Sequence, residues 1–193
     1  MKYQFQPTCQ IPPETLDKIY MDAFGFKRDG VFVEVGAHDA WHWSNTWGLA
    51  EIGWRGVYVE PVRELYEQCV QTNKNRPKVD IDHCCIGSFD GVKKLGIAEY
   101  GASADAKDAE FEARQITLST LLENHKIPPR FDLLVIDVEG SEKDVLAGFD
   151  LGKWQPTLII IERQPDLKLG GYEHVYSDWI NDCYRRTDHA NPT

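Results

Sequence analysis

Four largely apolar runs divide the chain, and each stops on a glycine or an acid. Val31 to Val35 stops at Gly36, Gly56 to Val59 at Glu60, Phe131 to Ile136 at Asp137, and Thr157 to Ile161 at Glu162. Short runs with little polar alternation predict strands buried on both faces, as in a parallel sheet covered by helices. Between them the apolar spacing becomes helical. Leu16, Ile19, Tyr20, Ala23 and Phe24 share one face between Pro12-Pro13 and Gly25, predicting a helix over about 13–24. Val62, Leu65, Tyr66, Cys69 and Val70 repeat the pattern after Pro61, and Val145 and Leu146 do so between Ser141 and Gly148. Ser44 predicts the cap of a helix running to about Ile52, and Ser119 the cap of a short helix over 120–126. A third strand is expected from Val79 to Cys85 and an extra one from Lys93 to Tyr100. Tyr172 to Tyr176 and Ile180 to Arg185 read as an antiparallel hairpin at the sheet edge. Gly101 to Glu112 has almost no apolar content and predicts a mobile loop or lid, with a solvated insertion of no role as the alternative. The whole is an α/β domain with a core over about 29–186.

A length of 193 residues suits one domain with a sizeable core. The net charge of -10 argues against nucleic acid or an anionic membrane as the main partner. The five cysteines are odd in number and lack C-x-x-C spacing, which points to a reducing compartment and away from a zinc site. No leader-like apolar run and no stretch of membrane-spanning length is present, so a cytoplasmic location is expected.

Candidate chemistry follows from the strand ends. In open α/β sheets ligands sit beyond the carboxyl ends of the strands, so Gly36, Glu60, Asp137 and Glu162 should meet in one crevice. A strand stopped by glycine lets a ligand approach the backbone, and an acid about twenty residues later suits two ribose hydroxyls. This pattern points to an adenosine-type ligand. It lacks the further glycines of G-x-G-x-x-G, which weighs against a nicotinamide oxidoreductase.

Three stretches then match a known family. Phe32-Val33-Glu34-Val35-Gly36-Ala37-His38-Asp39 with Ser44-Asn45-Thr46, and Gly53-Trp54-Arg55-Gly56-Val57-Tyr58-Val59-Glu60-Pro61, resemble FkbM-type S-adenosylmethionine-dependent methyltransferases. Ile136-Asp137-Val138-Glu139-Gly140-Ser141-Glu142 is similar to that family's second signature, and the closing hairpin through Tyr184-Arg185-Arg186 also fits. The resemblance spans roughly residues 20 to 186. It departs at His38, where the family usually has asparagine, and at Ala40, where it usually has glycine. The resemblance implies a Rossmann-like seven-stranded sheet, mostly parallel with an antiparallel C-terminal strand. It also implies methyl transfer, usually to oxygen, on a sugar or other small acceptor.

On that basis Glu34, Gly36, Ala37, His38, Asp39 and Ser44 are expected around the methionine part of S-adenosylmethionine, or of the product S-adenosylhomocysteine. Glu60 and Pro61 are expected at the ribose, and Cys85 and Ile86 at the adenine. Asp137 and Glu139 lie two apart at a strand end. One is expected to touch the cofactor and the other to orient or deprotonate the acceptor hydroxyl, in either order. Trp41, His42 and Glu162 are candidates for the acceptor side. Each has a plainer reading: a turn, a helix-start charge, a salt bridge or a hydrophobic cover. A metal-dependent hydrolase built on His38, His42, Asp137, Glu139 and Glu162 lacks a dedicated motif. A non-catalytic cofactor-binding module of the same fold is the remaining alternative.

Overall fold

The computed structural model describes residues 2–98, 101–103 and 111–188. Its main sheet has seven strands: β1 (Val31–Val35), β2 (Arg55–Val59), β3 (Val79–Asp82), β8 (Leu133–Ile136), β9 (Leu158–Glu162), β10 (Tyr172–Ser177) and β11 (Asn181–Arg186). They lie in the order β10-β11-β9-β8-β1-β2-β3. The pairings from β3 through β9 are parallel, whereas β11 runs antiparallel to both β9 and β10. Strands β2 and β3 are laid down on one side of β1, and β8 and β9 on the other, so the strand order reverses at the β1/β8 boundary, the place where open α/β sheets leave a crevice.

Alternate residues of each strand feed two cores. Phe32, Tyr58, Leu133, Val135, Leu158 and Ile160 pack on one face with α1 (Pro13–Phe24). Val33, Val35, Val57, Leu134, Ile136 and Ile159 pack on the other with α4 (Leu118–Asn124) and Val145 of α5 (Glu142–Ala147). Gly56 is required here, because a Cβ would stand 2.1 Å from the Phe32 ring. The two cores hold the ends of β1, β2, β8 and β9 at one level. Gly36 N and Ala37 N both donate to Val59 O at 3.0 Å, and Asp137 N donates to Val35 O at 3.0 Å.

Several elements differ from expectation. The strand expected over Val79–Cys85 stops at Asp82. His83 turns away to stack on Tyr66, with ring centroids 4.7 Å apart, and Cys85–Gly87 becomes β4 of a second sheet. That sheet has the order β4-β7-β5-β6, with β5 (Gly91–Ala98), β6 (Gly101–Ser103) and β7 (Phe111–Thr117). The loop expected over 101–112 therefore begins and ends in strands, and residues 104–110 lie outside the described residues. Strand β7 was hidden because its inward positions include Ala113 and Gln115, small and polar. Gln115 is wholly buried, and its side chain donates to Phe89 O at 3.0 Å. Ser119 does not cap α4; Thr117 does, its hydroxyl accepting Thr120 N at 3.0 Å. The short helix α2 (Trp47–Glu51) starts later than Ser44, whose hydroxyl accepts Trp47 N from three residues upstream at 3.1 Å. Helix α3 (Arg63–Asn73) follows Pro61 as expected.

Candidate functional site

A cavity of ≈ 540 Å³ opens at the carboxyl ends of the parallel strands, within the range of small-molecule sites. Glu34, Gly36, Ala37, His38, Ser44 and Pro61 line it from β1, β2 and the loop after β1. Cys85 and Ile86 line it from β4, and Asp137, Glu139 and Glu162 from the ends of β8 and β9. His42 also faces it. Of the residues named from the sequence, Asp39, Trp41 and Glu60 do not line it.

Those three hold the wall instead. Glu60 is buried behind the loop, its Oε2 accepting His38 N at 2.9 Å and its Oε1 accepting Val62 N at 2.8 Å. Asp39 accepts Trp41 N at 2.9 Å, His42 N at 2.8 Å and the His42 imidazole Nδ1 at 2.5 Å. Burial pushes the Asp39 pKa up, but these bonds, His42 first, outweigh it and hold the group below the usual carboxylate range. Trp41 packs edge-on against Trp47, with centroids 5.1 Å apart.

The loop turns sharply. Gly36 has φ +82°, and a Cβ there would stand 1.6 Å from Asp137 O, so only glycine fits. His38, Ala40 and Trp43 also take positive φ, at 52°, 56° and 58°. Two of these are the positions where the family usually carries asparagine and glycine, the residues that tolerate this backbone best.

The acids share one electrostatic character. Burial pushes Glu34 up to about 7, against the hydroxyls of Thr46 and Ser44 that both donate to its Oε2. Burial likewise pushes Asp137 up to about 6, opposed by the Gln10 carboxamide that donates to its Oδ2. Glu139 is raised by burial and by Glu142, and Glu162 reaches about 8 through burial and then Glu142. Glu162 Oε2 is buried with no hydrogen-bond partner among the described residues. A cavity whose carboxylates are all destabilised as anions is one that a cationic group would stabilise. Glu142 is wholly buried and braces the turn after β8, accepting Val138 N at 3.1 Å and Gly140 N at 3.2 Å.

Sequence reasoning missed Gln10, Lys93 and Thr46 as parts of this site. Lys93 lines the cavity from β5 and pairs with Asp144 at 2.6 Å. Gln10 comes from a segment with no periodicity, so no local signal could have found it. Thr46 lay within the matched Ser44-Asn45-Thr46 stretch, and its complete burial was the missing information. Among the described residues no group of three or more His, Cys, Asp or Glu is arranged to hold a metal ion. No helix among them is long and apolar enough to cross a membrane.

The sequence profile of the methyltransferase FkbM domain matches residues 34–183, most of the chain and both halves of this site. The chain belongs to the FkbM methyltransferase family. No curated protein matched it by sequence. Among solved structures, yhhF of Escherichia coli, named as a candidate methyltransferase, superposes with TM-score 0.55 at 8% identity, covering 94% of this chain and 90% of its own. HI0767 of Haemophilus influenzae, named as a candidate methylase, gives TM-score 0.53 at 13% identity, covering 90% and 86%. At such identities these likenesses carry the fold alone. Membership makes the chain a methyltransferase domain and implies S-adenosylmethionine as the methyl donor. The FkbM cavity fits such a donor: it is large enough for a nucleoside, Gly36 lines it at the end of β1, and its raised carboxylates suit a ligand carrying positive charge.

Proposed function

We propose that this FkbM domain transfers a methyl group from S-adenosylmethionine to an oxygen of a small polar acceptor, a saccharide being the leading class. The observation that carries the reading is the convergence of Glu34, Asp137, Glu139 and Glu162 on one cavity at the sheet's switch point. When bound, the donor supplies an electrophilic methyl on a good leaving group. The protein's part is then to hold, align and accept a proton. Glu34, buried on β1, and Asp137, just past the end of β8, suit the positive charge of the donor. Glu139 and Glu162 suit the acceptor: a carboxylate with a raised pKa, once ionised, is the stronger base for the hydroxyl proton released as the oxygen attacks. Cys85 and Ile86 offer an apolar wall for adenine. Ribose recognition by Glu60 requires that its remaining lone pairs accept the hydroxyls alongside His38 N and Val62 N.

Calorimetric titration with S-adenosylhomocysteine, with NAD as control, tests the donor. Micromolar binding of the first alone is expected. Labelled methyl transfer to panels of saccharides, peptides and nucleic acids tests the acceptor, and incorporation only into peptide or nucleic acid would sink the saccharide reading. The second reading, a cofactor-binding module without catalysis, draws on the departures from the family pattern at His38 and Ala40, both held at positive φ in the loop after β1. Donor binding with no transfer to any panel would support it.

A further inference from the structure

The segment before α1 carries no secondary structure that its sequence announces, yet it is built tightly into the molecule. Tyr3 N donates to Asp17 Oδ1 at 2.8 Å, and Tyr3 and Ile11 are both buried. The backbone at Gln4 crosses Gly48 so closely that a Cβ on Gly48 would stand 1.6 Å from Gln4 O. Cys9 then forms a parallel bridge to Trp43, Gln10 N donates to Trp43 O at 3.2 Å, and Ile11 N donates to Asn45 Oδ1 at 3.2 Å. These anchors fix residues 9–11 to the loop after β1 without using the Gln10 side chain.

That side chain enters the cavity. Its Oε1 accepts from Asn45 Nδ2 at 3.4 Å and its Nε2 donates to Asp137 Oδ2, so the carboxamide is held at both ends and its orientation is defined. It is the one side chain that donates to the Asp137 carboxylate among the described residues. Among the described residues the charged groups that bear on Asp137 are acids: Glu34 from β1, Glu139 and Glu142 from the turn and helix after β8, and Glu162 from β9, while Lys93 of the same cavity is paired with Asp144. A carboxylate so placed needs a donor to fix it, but a lysine would cancel the charge that attracts a cation. A glutamine fixes it and leaves the charge in place.

We propose that Gln10 is a positioning residue for the methyl donor, holding the Asp137 carboxylate in the orientation that receives the donor's cationic end. This rests on the S-adenosylmethionine reading above and adds to it a residue outside the family-matched region, brought in by the N-terminal segment. Gln10 also keeps Asp137 ionised to lower pH, since its hydrogen bond opposes the effect of burial.

The test needs no acceptor. S-adenosylhomocysteine is titrated into the full chain from pH 5 to 8, as wild type, Gln10→Ala and Gln10→Lys, and the melting temperature of each ligand-free protein is recorded. Gln10→Ala should weaken binding about tenfold at pH 7. Its loss of affinity on acidification should also begin at higher pH than in wild type, because Asp137 protonates earlier. Gln10→Lys should weaken binding more than Gln10→Ala while the ligand-free protein melts no lower than wild type, because the new ammonium occupies Asp137. A merely structural role would lower melting temperature and leave the pH midpoint where it was, and that result overturns the proposal. Wild-type binding that survives both substitutions overturns it alone. A wild type that binds no S-adenosylhomocysteine overturns the donor reading and this proposal together.

Discussion

At the scale of the residue, the loop after β1 carries strain that its sequence need not have. Ala40 is wholly buried at φ 56° and His38 sits at φ 52°. A non-glycine residue in the left-handed region costs about 1–2 kcal/mol, part of which glycine would return as chain entropy in the unfolded state. Ala40→Gly should therefore stabilise the domain by about 0.5–1 kcal/mol in urea denaturation; an equal loss would mean that the Ala40 methyl packs better than its backbone suffers. Gly36 is the opposite case. Gly36→Ala must displace the backbone of Asp137, which its Cβ would meet at 1.6 Å, and should lower the melting temperature while abolishing S-adenosylhomocysteine binding. Thr46→Val removes a donor from Glu34 and keeps the shape, so Glu34 should protonate at higher pH and donor affinity at pH 7 should fall with little change in fold, read by titration and circular dichroism.

At the scale of the element, β3 is tied to the end of α4 by His125, whose Nε2 lies 3.0 Å from Asp82 Oδ2 and whose Nδ1 lies 3.4 Å from Asp80 Oδ2. Hydrogen bonding to Asp82 raises the pKa of His125, and the same bond lowers that of Asp82. A raised histidine stabilises the fold below its unfolded pKa near 6.5 and loses this as pH rises through the folded value. A lowered aspartate stabilises above its unfolded pKa near 3.8 and loses this as pH falls through the folded value. The tie is thus strongest between those limits. His125→Gln should cost about 1 kcal/mol at pH 5.5 and much less at pH 9, where the wild-type imidazole is neutral too. A pH-independent cost in urea melts would show that packing, not charge, holds this corner.

At the scale of the whole molecule, the acids at the sheet's carboxyl end set the pH dependence. Glu34 and Glu60 at about 7, Asp137 at about 6 and Glu162 at about 8 all lie above their ordinary values because of burial. The folded state therefore binds more protons than the unfolded one between about pH 4.5 and 8, and stability falls as pH rises across that window. The net charge of -10 adds self-repulsion in the same direction. The ligand-free domain should melt about 5 °C higher at pH 5.5 than at pH 8. Saturating S-adenosylmethionine should reduce that difference, since a bound cation stabilises the ionised acids at the higher pH. A melting temperature that climbs toward pH 8 without ligand would contradict the burial of these groups.

Legibility in the sequence followed the range of the forces involved. The strand runs ending at Gly36, Glu60, Asp137 and Glu162, the helices after Pro12 and Pro61, and the C-terminal hairpin were all readable, because periodicity and turn residues are local signals and two-sided burial leaves an apolar run. So was the convergence of three strand-end residues, Gly36, Asp137 and Glu162, on the cavity, since parallel strands put their ends on one side. The tertiary structure alone decided the rest. Strand β7 can bury Gln115 because its side chain finds the Phe89 carbonyl in the turn between β4 and β5. Glu60 accepts His38 N from the loop after β1 and Val62 N at the start of α3, and the first of these contacts exists only once the two segments meet. Gln10 reached Asp137 across 127 positions of sequence. Such contacts depend on where distant backbone runs, and a polar residue's own neighbours in the chain do not record the partner that satisfies it.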